Sequence, residues 1–457
     1  MREVIIIGGG ISGLTVAYML AKAGRAVTLI EREAVLGGLL QTRLMEGCVV
    51  EGGPDSFLAA KPAATELIRE VGLGADLISS NDHQRITYIR RHGRMVPMPD
   101  GLMMMVPTKI WPMVTTPLLG WSTKIRMGLE YFRRPPSAEL PERSVADFVR
   151  DHYGQEAVDY LAEPLLSGVY GGDPADLSVN STLPRFVELE RKYGSLTRGT
   201  LLGRRQAPAA PGGSLFRTLK GGLHDLVRAL EARMSGVERL CGLVGQVRAA
   251  PNGYEVFLNG EWLSARHLVI ATPAWAAADL LGSVAPELQH LLSQVDYSSS
   301  MTVALGYRDA DLAQPLTGFG FLVPARERQS LVACTYVGRK FPHRTPEGMS
   351  LLRCFLGGAG RAAVLTQSDE EVTAATRADL ERLLGITAKP AFCSISRWPR
   401  SMAQYTVGHA GRMREVAERV AQHPGLHLIG NAYRGIGIPD CIQLARETAA
   451  AMVSVSA

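Results

Sequence analysis

The sequence predicts an α/β protein with three parts. These are a dinucleotide-binding domain assembled from separated stretches of chain, a second sheet-plus-helix (α+β) domain, and a mainly helical subdomain. Three observations point there. The chain opens with Val4-Ile5-Ile6-Ile7-Gly8-Gly9-Gly10-Ile11-Ser12-Gly13, a β-branched run that ends in glycines and leads into helical spacing from Leu14 to Ala23. Strand-like alternation returns after Gly242 and again after residue 300. Between these lies a methionine-, tryptophan- and proline-rich stretch, 102–132.

Gly8, Gly10 and Gly13 match G-x-G-x-x-G: one glycine for a tight turn, one for close approach of a pyrophosphate, one for helix–strand packing. The N–H groups of Ile11, Ser12 and Gly13 then open the helix toward the phosphates. A second strand, Ala26–Ile30, ends at Glu31, placed to accept ribose hydroxyls. Gly37-Gly38 and Glu51-Gly52-Gly53-Pro54-Asp55-Ser56 follow. That combination resembles the glutathione-reductase-type FAD folds, built on a Rossmann-like domain, and implies FAD rather than NAD.

A chain of 457 residues is long enough for two or three domains. Its formal charge of +5 is compatible with an anionic ligand or membrane surface, and no nucleic-acid motif accompanies it, so nucleic acid is not an expected partner. No apolar run approaches the roughly eighteen residues of a bilayer span, and residues 1–24 lack a signal-peptide pattern. A cytoplasmic location is therefore expected. Six scattered cysteines without C-x-x-C suggest neither zinc nor a disulfide framework. His423 and His427 have helical ligand spacing, but Pro424-Gly425 breaks any helix between them, so no metal is expected. No G-x-S-x-G motif supports hydrolase chemistry.

Along the chain, residues 60–73 read as a helix, and Arg85–Ile89 with Met95–Met98 as a hairpin joined through Arg90–Arg94. In 102–132, Pro107, Pro112 and Pro117 divide short helices. This stretch reads either as subdomain core or as a face toward an apolar ligand channel or membrane, with Lys109, Lys124, Arg126, Arg133 and Arg134 near headgroups. Helices are expected from Ser144 and over Ala157–Leu166, then a glycine-rich turn, Leu166–Pro174, and a linker, Gln206–Gly213. A helix to Met234 leads to strands 242–247, 254–258 and 267–271. Strands 302–307, 330–337 and 350–356 follow, with a helix near 370–384. The chain closes with a strand at 426–429, a glycine-rich loop and a helix. The predicted domains are 1–80, 214–275 and 424–457 for the dinucleotide, 81–213 for the helical subdomain, and 276–423 for the α+β substrate domain.

Several segments are narrower than the nucleotide motif: Glu163-Pro164-Leu165-Leu166-Ser167-Gly168-Val169-Tyr170, Gly318–Pro324, Gln404-Tyr405-Thr406-Val407-Gly408-His409 and Gly437-Ile438-Pro439-Asp440-Cys441-Ile442. With them, nearly the whole chain resembles the oxygen-dependent porphyrinogen oxidases of the amine-oxidase-like FAD superfamily. One departure is Ala403 before Gln404, where the family commonly has proline. The resemblance implies one non-covalent FAD held by Gly8, Gly9, Gly10, Ile11, Ser12 and Gly13 at the pyrophosphate and by Glu31 and Arg32 at the ribose. Gly38, Leu39, Gly53, Pro54, Asp55 and Ser56 would lie along the isoalloxazine side. Val244 would meet the adenine, Trp398 would pack nearby, and Ile436, Gly437 and Ile438 would hold the flavin edge. For substrate, it implies Arg85 at a propionate, Gly168 against the macrocycle, and Phe319 with Leu322 as a clamp.

The implied reaction removes six hydrogens from a porphyrinogen in heme biosynthesis, with O2 as acceptor and H2O2 as product. Resemblances at Val106–Ile110, Ala333–Tyr336, Phe341–His343, Pro346–Gly348 and Arg397-Trp398 favour coproporphyrinogen III over protoporphyrinogen IX. Arg85, Lys109, Arg339 and Lys340 are candidates for the extra propionates. No catalytic acid or base is assigned. Peripheral attachment at the inner membrane face and transient contact with ferrochelatase, the next enzyme of the pathway, are further expectations. An amine oxidase or carotenoid desaturase would need a different C-terminal flavin loop. Escort proteins for prenylated partners resemble the fold but lose that loop, whereas Gly435-Ile436-Gly437-Ile438 is intact here.

Overall fold

The computed structural model describes residues 1–138, 140–206 and 214–454; the expected linker lies, beyond Gln206, outside the described residues. Strand β1 (Arg2–Ile7) is the centre of the first sheet. It pairs in parallel with β2 (Val27–Glu31), Val4 opposite Val27, and with Glu261–Ile270, Val4 opposite His267. Val4 and Ile6 pack into one core with Leu14 and Val16 of helix α1 (Ile11–Lys22), and Ile5 and Ile7 into another beneath the alanine-rich helix Ala274–Leu281. Burial on both faces is why Val4 to Ile7 are all apolar rather than alternating.

Glu238–Cys241 extends the parallel sheet beside β2, and Leu426–Leu428 extends it on the other side. The first was not anticipated, because Glu238-Arg239-Leu240-Cys241 is a polar, mostly exposed edge. Glu261–Ile270 has three partners: besides β1 and Leu426–Leu428, its first half pairs antiparallel with Gly253–Leu258, which pairs in turn with Val244–Ala250.

The second sheet has seven strands in the order 392–403, 297–308, 349–357, 333–336, 320–322, 87–91, 94–97. Gly320–Leu322 and Thr87–Arg91 are parallel neighbours, so a hairpin from early in the chain completes a sheet built mostly from late residues. The hairpin turn is only His92-Gly93, with φ of 47° and 77°, and Arg90, Arg91 and Arg94 belong to strands rather than to a loop. Two positive φ values suit the right-handed twist of a hairpin. Helix Asp369–Leu384 covers one face, opened by a Ser368/Glu371 capping box.

Two expectations for the helical part are corrected. Pro112 does not break a helix, because it sits in the first turn of Ile110–Thr115, where its missing N–H is not needed. Leu166–Tyr170 is not a turn but the end of helix Glu163–Tyr170. Its stop is Gly171 in the left-handed region, φ 58°. Gly168 weakens such a helix by about 1 kcal/mol, while buried Pro164 and Leu166 anchor it. The 102–132 stretch divides between its two readings. Met105, Met113, Leu118, Leu119 and Met127 are buried, whereas Ile110, Trp111, Trp121, Ile125, Leu129 and Phe132 are exposed. Among the described residues no helix is long and apolar enough to cross a membrane.

Glu51, at the end of the hairpin strand Cys48–Glu51, is a carboxylate only 2 % exposed. It accepts from Arg344 Nη1 at 2.8 Å, Thr42 Oγ1 at 2.6 Å and Leu223 N at 2.8 Å. Arg344 also binds Thr218 Oγ1 at 2.6 Å and the Leu219 carbonyl at 2.8 Å. Replacing Arg344 with Met would strand Glu51 as an unpaired buried charge, a loss of about 3–5 kcal/mol. Urea unfolding of R344M should show that drop; a loss below about 1 kcal/mol would contradict the role given to this pair.

Candidate active site

Three glycine-bearing turns converge at the carboxyl end of β1. Gly8 has φ 109°, and a Cβ there would come within 2.9 Å of the Ala271 carbonyl; a Cβ on Gly13 would collide with the Gly8 carbonyl. These two glycines are needed by the fold itself. Gly10 differs. Its φ of −72° and ψ of 179° suit any residue, and a Cβ built on it meets nothing within 4 Å. The protein thus keeps open space at the N-terminus of α1, which no side chain caps. Unpaired N–H groups facing open space fit a pyrophosphate.

The other turns close on this one. Gly37 N donates to the Gly9 carbonyl at 2.8 Å, and a Cβ on Gly38 would lie 3.3 Å from Gly10 Cα. Gly53 lies so close to the Leu39 carbonyl that a Cβ would collide with it. Glu31 accepts from Gly9 N at 2.6 Å and Glu33 N at 3.0 Å, which fixes its carboxylate at the end of β2. Gly242 N donates to the Glu31 carbonyl at 2.9 Å, bringing Val244 to the same end, while Arg32 pairs with Glu33 at the surface. The Gly52 carbonyl accepts from Trp398 Nε1 at 2.8 Å and Thr302 Oγ1 at 2.6 Å, so Trp398 borders the third turn. Ile436, Gly437 and Ile438 lead into helix Ile438–Ser454, whose Ile438 and Ile442 share a core with Leu14 and Val16 of α1. Segments more than 400 residues apart in sequence therefore share one groove.

Pro54, Asp55 and Ser56 rest on charges that sequence reasoning placed elsewhere. Lys340, expected among the propionate candidates, is buried; its Nζ lies 3.2 Å from Asp55 and 3.0 Å from Ser56 Oγ. Burial opposes ionisation of Asp55, but Lys340 and Arg353 overcome it and hold the carboxyl well below its usual range. Arg353 donates to the Glu51 carbonyl at 3.1 Å and to the Gly53 carbonyl. Arg353 and Arg344 carried no sequence signal, since an arginine in a strand reads as solvated until its partner is known.

On the substrate side, the four predicted residues form two neighbouring pairs at one stretch of the second sheet. Phe319 N donates to the Ile86 carbonyl at 2.8 Å, which brings buried Phe319 beside exposed Arg85. Leu322, three residues on, faces helix Glu163–Tyr170, where a Cβ on Gly168 would stand 3.4 Å from Leu322 Cδ2. Arg328 clamps that helix, with Nη2 2.7 Å from Glu163 Oε1 and 3.2 Å from Ser167 Oγ. Lys109 pairs with Asp100 at 2.5 Å, and Arg339 is half-buried. His423 binds Glu287 at 3.3 Å, and His427 faces His267. A ligand-type cluster, Asp151, His152 and Glu190, lies in the helical part, with Arg133 and Arg143 bound to its carboxylates.

Tyr405 emerges as the residue that orders the closing loop. Its hydroxyl donates to the Asn431 carbonyl at 2.7 Å and accepts from Gly435 N at 2.8 Å. His409 stacks on its ring, centroids 4.0 Å apart. The Gln-Tyr-x-x-Gly-His spacing was the signal for both, although a role for the hydroxyl was not readable from it. Burial, with help from Arg412, pushes the His409 imidazole down from 6.5 to about 4. The unfolded or opened chain therefore binds more protons between those values. The loop's stability is fully present above about pH 6.5 and is lost as pH falls toward 4. Release of the expected flavin, followed by its fluorescence, should rise across that window. A flat profile there would contradict this.

A second outcome concerns Gly10. The Cβ of Gly10→Val meets nothing within 4 Å, so the chain should fold with unchanged circular dichroism yet purify without flavin colour. Full flavin occupancy would show that the open space is not the pyrophosphate site.

Comparison with known proteins agrees with this geometry. The model of the flavin containing amine oxidoreductase family matches residues 11–453. The coproporphyrinogen III oxidase of Bacillus subtilis is 35% identical over 96% of each chain. Protoporphyrinogen oxidase 1 of Arabidopsis thaliana is 29% identical over 98% of this chain and 87% of its own. A solved structure from Exiguobacterium, assigned provisionally as a protoporphyrinogen oxidase, superposes with a TM-score of 0.88 at 32% identity over 99% of both chains. The cyclohexylamine oxidase of Brevibacterium oxydans shares the fold at a TM-score of 0.71 and 16% identity. The α/β groove, its open glycine and the end-to-end family match lead to one conclusion: the chain belongs to the flavin-containing amine oxidoreductases, and its cofactor is a flavin.

Proposed function

We propose that the protein holds one FAD non-covalently and oxidises a porphyrinogen to a porphyrin with O2, releasing H2O2, and that coproporphyrinogen III is preferred over protoporphyrinogen IX. The observation that carries this is kinship along the full chain with coproporphyrinogen III oxidases. A bound FAD supplies two-electron acceptance and passes the electrons to O2.

The chain's own residues bind, orient and exclude water. Gly8 to Gly13 and Glu31 hold the dinucleotide end, and the segment from Gly53 to Ser56 follows the ring. Buried Cys441, its thiol pushed up to about 11, stays protonated and is no nucleophile, in keeping with a non-covalent cofactor. Exposed Arg85 would meet a propionate, and the contact between Leu322 and Gly168, with buried Phe319 nearby in the chain, would pack against the macrocycle. No catalytic acid or base is assigned to the chain; the aromaticity of the product supplies much of the driving force. The second sheet, with its helix Asp369–Leu384, serves as substrate domain, and the helical part roofs it.

The outward side chains Trp111, Trp121, Ile125, Leu129 and Phe132 meet the face of a membrane peripherally, with Lys109, Lys124, Arg126 and Arg133 at headgroup level. A membrane-seated enzyme would pass its poorly soluble product on by transient contact with ferrochelatase. An amine oxidase is disfavoured because Ile438-Pro439-Asp440 stands where an aromatic cage is expected.

Measuring kcat/KM on both porphyrinogens, with H2O2 counted per porphyrin, tests the assignment. The expected result is three H2O2 per porphyrin and at least a tenfold preference, about 1.4 kcal/mol, for coproporphyrinogen III. A preference for protoporphyrinogen IX would reverse the substrate choice.

A further inference from the structure

A polar cleft of about 620 Å³ lies in the helical part, separate from the flavin groove. Three guanidinium groups line it: Arg91 from the hairpin, Arg126 from helix Trp121–Glu130, and Arg326 from the loop after strand Gly320–Leu322. Tyr160 forms one wall, its ring centroid 4.8 Å from Arg91 Cζ and 5.9 Å from Arg326 Cζ.

Two carboxylates also line the cleft, and both are already satisfied. Glu156 accepts from Arg91 Nη2 at 2.7 Å and from Gly120 N at 2.8 Å. Asp159 accepts from Gln155 Nε2 at 2.8 Å and pairs with Arg326 Nη1 at 3.0 Å. The arginines keep spare donors, since each offers five N–H groups. Exposed Arg126 uses Nη2 on the carbonyls of Arg150 and Asp151, and exposed Arg326 pairs with Asp159 through Nη1, so the remaining N–H groups of both are open to a ligand. Excess donors and one net positive charge fit an oxyanion with several acceptor oxygens.

Helix Trp121–Glu130 connects this cleft to the apolar surface. At about 100° per residue, Trp121, Ile125 and Leu129 fall on one stripe. Ser122, Thr123 and Arg126, which line the cleft, fall on the adjoining face. Lys124 flanks the stripe on the other side, its Nζ 4.6 Å from the Trp121 ring. An anion in the cleft would therefore sit beside side chains suited to acyl chains.

We infer that the Arg91–Arg126–Arg326 cleft is a phosphate-headgroup site for an anionic membrane lipid. This rests on the peripheral membrane contact proposed above and names the lipid chemistry that contact selects.

The test is flotation of the flavin-loaded full chain with phosphatidylcholine vesicles, with and without phosphatidylglycerol, and with inorganic phosphate as competitor. The expected result is binding about tenfold tighter with phosphatidylglycerol. Arg326→Glu and, separately, Arg126→Gln should lower that binding to the phosphatidylcholine level while flavin content stays unchanged. Arg228→Gln with Arg248→Gln, remote and exposed, should leave it as it was. Trp121→Ser with Ile125→Ser should weaken binding to both vesicles. Undiminished preference in R326E and R126Q overturns the headgroup site and leaves the membrane contact standing. Binding to neither vesicle overturns both. Inorganic phosphate that binds saturably with no vesicle preference makes the cleft a free-anion site and also overturns the inference.

Discussion

The architecture depends on one buried carboxylate. Glu51 ends a short strand between the two sheets, and its oxygens take an arginine from the second sheet's side, a threonine hydroxyl and a backbone amide of the first domain. A buried charge is tolerated only when such partners surround it. The same partners fix the turn that follows. Arg353 holds the carbonyls of Glu51 and Gly53, and Lys340 holds Asp55 and Ser56. Glu51 and Asp55 against Lys340, Arg344 and Arg353 leave one positive charge over, buried beneath the segment proposed to follow the flavin ring. Such a surplus favours electron density arriving nearby.

This arrangement explains why the groove needs both ends of the chain. The first glycine turn and α1 provide the phosphate end, whereas the far end is set by the strand Leu426–Leu428 and the loop locked by Tyr405. β1 is buried on both faces, and the first two glycine turns leave from the carboxyl ends of β1 and β2, whereas the third follows Cys48–Glu51 of a separate antiparallel hairpin. The third turn is tied to the second sheet through the Gly52 carbonyl, which Thr302 and Trp398 share.

Much of this was legible in the sequence, for identifiable reasons. β1, α1 and β2 follow from local periodicity and from glycines at fixed offsets, and Ser368 with Glu371 marks a helix start by itself. Features that depend on distant partners were not legible. Lys340 reads as a surface charge until Asp55 is placed beside it. The edge strand Glu238–Cys241 has no apolar pattern, because one side is solvent. Leu166–Tyr170 reads as a turn from its Ser-Gly pair, yet tertiary packing of Leu166 keeps it helical. The apolar residues of 102–132 could not be divided between core and surface before the helix faces were known.

The central claim is that this flavin groove delivers electrons from a porphyrinogen to oxygen. Anaerobic rapid mixing of the purified protein with coproporphyrinogen III isolates that step. The visible flavin band should bleach in stoichiometric amount without accumulation of porphyrin, and admission of O2 should restore it while porphyrin absorbance grows. A flavin that stays oxidised on mixing, with substrate bound, would contradict the claim.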